Sequence, residues 1–139
     1  MNYLSLKSIY LELKWRFLFK KLKEIDLLIL DVDGVLTDGG LWFKNDGEIL
    51  KRFDVKDGLS LNLVQEIGIE IVLISGGERM SVEARARQLG IKYYFFGVIN
   101  KYKKLKEFQK EKNIPIKKFT YIGDDINDIV VRPLVSLLF

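Results

Sequence analysis

Leu27 to Asp38 reads LLILDVDGVLTD, four apolar residues running straight into two carboxylates, Asp31 and Asp33, with only Val32 between them. Successive side chains of a strand point to opposite faces, so residues i and i+2 share one. At the end of such a strand, Asp31 and Asp33 face the same small volume. Two anions held that close repel each other unless a cation or a shared proton intervenes. A positive group is expected there.

Outward from this stretch, short apolar runs alternate with helix-like segments: IDLLIL from Ile25, DGLSLNLVQEIG, IEIVLIS, ERMSVEARARQLG, IKYYFF, KYKKLKEFQKEKN and KKFTYIG. Alternation at this spacing predicts βαβ units and an α/β fold, a Rossmann-like three-layer sandwich with a mostly parallel sheet and helices on both faces. Gly68 and Gly90 follow periodic segments and Asn113 precedes Pro115, so each marks a helix end. GGLWFKNDGEILKRFDV interrupts the rhythm. Its Asn45-Asp46-Gly47 turn between two strand-like pieces predicts a small β-hairpin flap. Leu41, Trp42 and Phe43 stand on it in a row, and an apolar patch of that kind calls for a covering partner subunit.

The chain has 139 residues, 48% hydrophobic and 30% charged, enough for one domain with a real core. It has no Cys and no His. Disulfides, thiolate metal sites and the commonest general base are thereby excluded, and acid-base chemistry falls to Asp, Glu, Lys or Tyr. The net charge of +4 is concentrated at one end: residues 1–23 carry Lys7, Lys14, Arg16, Lys20, Lys21 and Lys23 against Glu12 alone. The remainder is close to neutral, which argues against a nucleic-acid-coating domain. Within residues 1–24, Ile9, Leu13, Phe17 and Leu18 fall near helical spacing and predict an amphipathic helical extension. It packs on the domain or another subunit, or rests on an anionic membrane surface. No apolar run reaches the length of a membrane span and no signal-peptide pattern is visible, so a cytoplasmic protein is expected.

In an open parallel sheet, ligands bind outside the carboxyl ends of the strands. The residues just after each apolar run are Asp31 and Asp33, then Ser75-Gly76-Gly77, then Lys101, then Gly123-Asp124-Asp125. Each has a use in cleaving a phosphate monoester. A carboxylate, Asp31, can attack phosphorus in line if a divalent cation and fixed donors offset the repulsion between anions. Mg²⁺ takes about six oxygen ligands and keeps several waters; Asp31, Asp124 and the main-chain carbonyl of Asp33 can supply the protein's share. Asp33 can protonate the leaving alkoxide and then accept a proton from the hydrolytic water. Ser75 and the Gly76-Gly77 backbone can donate to phosphate oxygens, and Lys101 adds a point charge to the same oxygens. Asp128, four residues past Asp124 at a predicted helix start, can orient Lys101 or the metal's waters, with Asp125 in support.

DVDGV at 31–35, Ser75, Lys101 and GDDIND at 123–128 resemble the four motifs of the haloacid dehalogenase superfamily of phosphatases. DVDGVLTDG, the hairpin, FDVKDG at 53–58, GVINK at 97–101 and YIGDDIND further resemble the 3-deoxy-D-manno-octulosonate 8-phosphate phosphatases and relatives acting on nine-carbon sugar acid phosphates. The resemblance covers residues 25–139 and implies a single phosphatase domain without a cap domain. It also implies a homotetramer that covers its active sites with neighbouring hairpins and tails, and a place in lipopolysaccharide biosynthesis. The spacing agrees that no lid fits, since only a hairpin and a helix separate Asp33 from Ser75. From the resemblance, Asp54, Val55, Lys56, Asp57 and Gly58 line the substrate pocket and Arg85 meets the substrate. Gly77 and Asn62 stand where relatives often carry Arg, which leaves Arg79 as a substitute. Family members continue past the position of Phe139 with a further strand, helix and Gly-rich tail, so lower stability and an exposed sheet edge are expected here.

The function expected is Mg²⁺-dependent hydrolysis of a small sugar-acid phosphate through an aspartyl-phosphate at Asp31. A non-catalytic oligomeric or regulatory relative is the alternative from another class. A phosphoacceptor receiver domain fits poorly, because there the paired acids follow the first strand and the phosphorylated Asp the third, whereas here DxD comes first and the DD pair last.

Overall fold

The computed structural model describes residues 24–77, 80–115 and 118–139. The expected N-terminal helix, apart from Glu24, and Arg79 lie outside the described residues.

The first apolar run forms β1 (Leu27–Leu30). A hairpin follows, β2 (Trp42–Phe43) and β3 (Ile49–Leu50), then α1 (Val55–Glu66) and β4 (Glu70–Ile74). The order continues with α2 (Met80–Gln88), β5 (Tyr93–Phe95), α3 (Lys101–Lys112) and β6 (Phe119–Ile122). A 3₁₀ helix, Ile126–Leu134, and β7 (Leu137–Leu138) complete it. Five strands make one parallel sheet in the order β5-β4-β1-β6-β7. β1 is central, and its four residues are all apolar, as a strand covered on both faces must be.

Alternate residues of the sheet feed two cores. Leu27, Ile29, Val72 and Ile74 pack with Leu105 and Phe108 of α3 and Val131 and Leu134 of the 3₁₀ helix. Leu30, Ile71 and Leu73 pack with Leu61 of α1 and Val82 and Ala86 of α2 on the opposite face. Three layers result, as the alternation of runs predicts.

Helix ends follow the local chemistry. Asp54 accepts from the Lys56 N–H at 2.7 Å to cap α1, and Asn100 accepts from the Lys103 N–H at 2.8 Å to cap α3. α3 ends at Asn113 in the left-handed region, φ 53°. The helix expected after Asp124 is the 3₁₀ helix, with Pro133 inside it.

The hairpin is the only insertion among the described residues between β1 and α1, and no cap domain is present among them. Its turn sits at Gly47, φ 87°, and an antiparallel bridge from Thr37 to Phe53 closes its base. Leu41, Trp42 and Phe43 are each more than half exposed. At the other end of the chain β7, two residues long, lies on the sheet edge beside β6. No helix among the described residues is long and apolar enough to cross a membrane.

Candidate active site

The carboxyl ends of β1, β4, β5 and β6 open on one cavity of about 860 Å³. Asp31, Asp33, Gly76, Gly77, Lys101, Asp124 and Asp125 line it, together with Gly34, Asn100 and Asn127. Seven residues anticipated from four separate stretches of sequence are therefore neighbours. Ser75 and Asp128 sit just beneath, both buried.

Asp31 leaves β1 with its N–H donated to the Ile122 carbonyl at 2.9 Å, which fixes the carboxylate between β1 and β6. Lys101, the first residue of α3, reaches Asp31 Oδ1 at 2.9 Å and Asp128 Oδ1 at 2.6 Å. Tyr121 on β6 donates its hydroxyl to the same Asp128 oxygen at 2.5 Å, and the Asp125 N–H donates to the other at 3.1 Å. Asp128 is thus gripped by three donors. Gly123 permits this approach, since a Cβ there would stand 2.4 Å from the Asp128 carboxyl carbon.

Electrostatics follow from this packing. Burial pushes the Asp31 carboxyl above the usual carboxylate range, against the pull of its hydrogen bond from Lys101. Burial acts the same way on Asp128, but the hydrogen bonds from Lys101 and Tyr121 outweigh it and hold that carboxyl low. Burial would lower Lys101, yet its bonds to Asp128 and Asp31 win and raise it. Burial, then the bond to Asp128, pushes the Tyr121 phenol far up, so it stays a donor.

Asp31, Asp124 and Asp128 offer carboxylate oxygens that all lie within 4.8 Å of one another. Asp124 reaches this place only because residue 34 is glycine, φ +83°: a Cβ would fall 1.8 Å from Asp124 Oδ2. A clustered all-oxygen donor set suits a hard divalent cation such as Mg²⁺, and burial of Asp31 beside two other acids leaves a charge deficit that such an ion would fill. Asp128, expected from sequence only to orient other groups, belongs to this cluster. The side chain of Asp33 does not.

Asp33 turns instead to Lys51, whose Nζ contacts Oδ1 at 2.6 Å and Oδ2 at 2.8 Å. Each of the two aspartates thus has its own lysine, Lys101 on Asp31 and Lys51 on Asp33. Lys51 was not foreseen; it follows β3, and only the closure of the hairpin base brings it over the site. Ser75 Oγ lies 3.4 Å from Asp33 Oδ2 and accepts the Gly77 N–H at 3.0 Å, so that amide is already engaged.

The residues expected to line a substrate pocket fall elsewhere. Asp54 caps α1, Val55 and Lys56 are exposed on its first turn, and Asp57 and Gly58 border a small crevice with Arg85. Arg85 donates to the Asp54 carbonyl at 2.8 Å and to Gln88 at 2.9 Å, and lies over the Phe53 ring. None of the six lines the main cavity. In this single chain Arg85 anchors the hairpin's exit, at Phe53 and Asp54, to α2.

No protein-family model matches the chain. It is 36% identical over 110 residues to the 3-deoxy-D-manno-octulosonate 8-phosphate phosphatase KdsC of Haemophilus influenzae, covering 79% of this chain and 61% of that protein. With the Escherichia coli K12 enzyme of the same name it shares 38% over 117 residues, covering 84% and 62%. The chain thus spans about three fifths of the length of these curated relatives. Among solved structures, a HAD superfamily (subfamily III A) hydrolase from Legionella pneumophila superposes with TM-score 0.87 at 37% identity, covering 93% of this chain and 71% of that one. A 3-deoxy-D-manno-octulosonate 8-phosphate phosphatase from Moraxella catarrhalis, in complex with magnesium, phosphate and KDO, gives 0.78 at 30%, covering 87% and 79%.

Proposed function

The chain belongs to the haloacid dehalogenase superfamily, among the KdsC-like members, and from that membership we propose that it hydrolyses a sugar-acid phosphate monoester, 3-deoxy-D-manno-octulosonate 8-phosphate first among candidates. A nine-carbon sugar acid phosphate is the second candidate. The observation that carries the reading is the convergence of Asp31, Asp124 and Asp128 within 4.8 Å, beside Lys101 and under an open cavity.

In this account Asp31 attacks phosphorus, the bond from phosphorus to the ester oxygen breaks, and Asp33 gives its proton to the departing alkoxide. Asp33 then takes a proton from water as that water attacks the aspartyl-phosphate, releasing inorganic phosphate and restoring Asp31. Lys101 offsets charge on Asp31 and on the incoming phosphate. Bound at Asp31, Asp124 and Asp128, Mg²⁺ would supply Lewis-acid neutralisation of the phosphoryl oxygens. Ser75 can turn its hydroxyl from Asp33 to a phosphate oxygen.

The exposed Leu41-Trp42-Phe43 row supports self-association through the hairpin, and the family resemblance makes the proposed assembly a homotetramer. Trp42→Asp is expected to lower the particle mass seen by light scattering; an unchanged mass would remove the hairpin from the assembly. A cytoplasmic location and a role in lipopolysaccharide biosynthesis follow only if the substrate assignment holds.

The test is turnover by the intact protein and by Asp31→Asn on a panel of sugar phosphates, with and without Mg²⁺. Release of phosphate only with Mg²⁺, and only from the parent protein, is the expected result. Full activity of Asp31→Asn would remove that residue from the mechanism; no turnover on any substrate would favour the non-catalytic alternative.

A further inference from the structure

We infer that Lys51 is the positioning residue for Asp33, carried on the hairpin so that the flap aims the acid-base group. The inference rests on the proposed phosphatase reading. Lys51 Nζ touches both oxygens of Asp33, at 2.6 and 2.8 Å, across 18 residues of sequence. The Lys51 side chain is 3% exposed, while that of Asp33 is 37% exposed. The ammonium therefore approaches Asp33 from the buried side beneath the hairpin and leaves the carboxylate facing the cavity, of which Lys51 is not a lining residue.

A short aspartate side chain has broad freedom about its last torsion, and contact with both oxygens removes it. The rest of the shell agrees. Ser75 Oγ meets Asp33 Oδ2 at 3.4 Å, and Gly77 leaves the gap in which the three side chains gather. A Cβ at residue 77 would lie 2.9 Å from Lys51 Nζ, 3.0 Å from Asp33 Oδ2 and 3.4 Å from Ser75 Oγ. A side chain there would crowd the lysine, the aspartate and the serine at once. The bland alternative is a structural clip, a buried ammonium paired because buried charges must be, with no bearing on proton transfer.

Leaving-group dependence separates the two. An alkoxide leaves poorly without a proton, whereas para-nitrophenolate needs none. With Mg²⁺ present, Lys51→Met is expected to lose about 100-fold in kcat/KM, which reports only the steps through alcohol release, on 3-deoxy-D-manno-octulosonate 8-phosphate, the lower range of general-acid contributions. On para-nitrophenyl phosphate kcat/KM is expected to stay within about 3-fold, since no general acid is required for that release. Equal losses on both esters, or no loss on either, would overturn the inference.

A crystal structure of Lys51→Met gives a reading independent of turnover: Asp33 is expected to leave its present orientation. An Asp33 that stays in place without Lys51 would overturn the positioning role even if the substrate assignment were correct. Failure of the parent protein on both esters would instead count against the proposed function, and the orientation of Asp33 would still decide the inference.

Discussion

Gly34→Ala tests whether Asp124 is held at the metal site by a missing side chain. Gly34 has φ +83°, and the added methyl would fall 1.8 Å from Asp124 Oδ2 and 2.5 Å from its carboxyl carbon. Neither distance can be relieved by a few tenths of an ångström, so the carboxylate must leave its place beside Asp31 and Asp128. The left-handed backbone adds a cost of about 1 to 2 kcal/mol for a residue with a Cβ. For a chain of this size that is a fall of roughly 3 to 7 °C in Tm. Removing groups that merely orient a metal ligand costs about 10- to 100-fold in affinity, so evicting the ligand itself is expected to reach or pass the upper figure. Titration calorimetry with Mg²⁺ on the parent, Gly34→Ala and Asp124→Ala reads the effect. The expected result is the same weakened Mg²⁺ affinity in both variants, with the Tm loss larger for Gly34→Ala. Wild-type Mg²⁺ affinity in Gly34→Ala would refute the reasoning.

Asp128→Ala leaves the Tyr121 hydroxyl and one side of Lys101 without an acceptor in a buried place, and a loss of about 3 kcal/mol is expected from breaking such a network. Urea unfolding measures it, and a loss below about 1 kcal/mol, the scale of an exposed pair, would show the network to be dispensable. The pH dependence of stability in metal-free protein has a definite sign. Lys101 is raised above its ordinary 10.5, so its stabilisation is complete below that pH and is lost as pH rises through the higher folded value. Tyr121 is raised above its ordinary 10.0, so the fold, which favours the neutral phenol, weakens once the unfolded chain can ionise above that pH. On the acid side the contributions oppose each other. Asp128, held low, stabilises above 3.8 and loses this as pH falls through its lower folded value, while Asp31, raised, favours the fold at low pH. Tm is therefore expected to fall steeply above about pH 10 and gently in acid, with Tyr121→Phe flattening the alkaline limb; an alkaline limb that the substitution leaves unchanged would count against this assignment.

The fold was readable because its signals are local. A four-residue apolar run flanked by turn residues has few alternatives to a buried strand, and Asp54, Asn100 and Asn113 punctuate helices through short-range hydrogen bonds. Asp31, Asp124 and Lys101 were readable because a parallel sheet delivers the ends of its strands to one place. Lys51 was not, since its role depends on how far the hairpin folds back; the neighbouring Arg52 reaches Asp38 instead. The membership of Asp128 in the carboxylate cluster depends on the tight 3₁₀ turn that the sequence presented as an ordinary helix start. Asp54 to Gly58 and Arg85 came from resemblance alone, and a single chain holds them beside the site rather than in it.

The most direct measurement is a crystal structure of the protein grown with Mg²⁺ and beryllofluoride, a mimic of a phosphorylated carboxylate. Beryllium is expected on an Asp31 oxygen and the metal against Asp31 and Asp124, with Asp128 adjoining. Beryllofluoride on another residue, or magnesium bound away from these acids, would contradict that expectation.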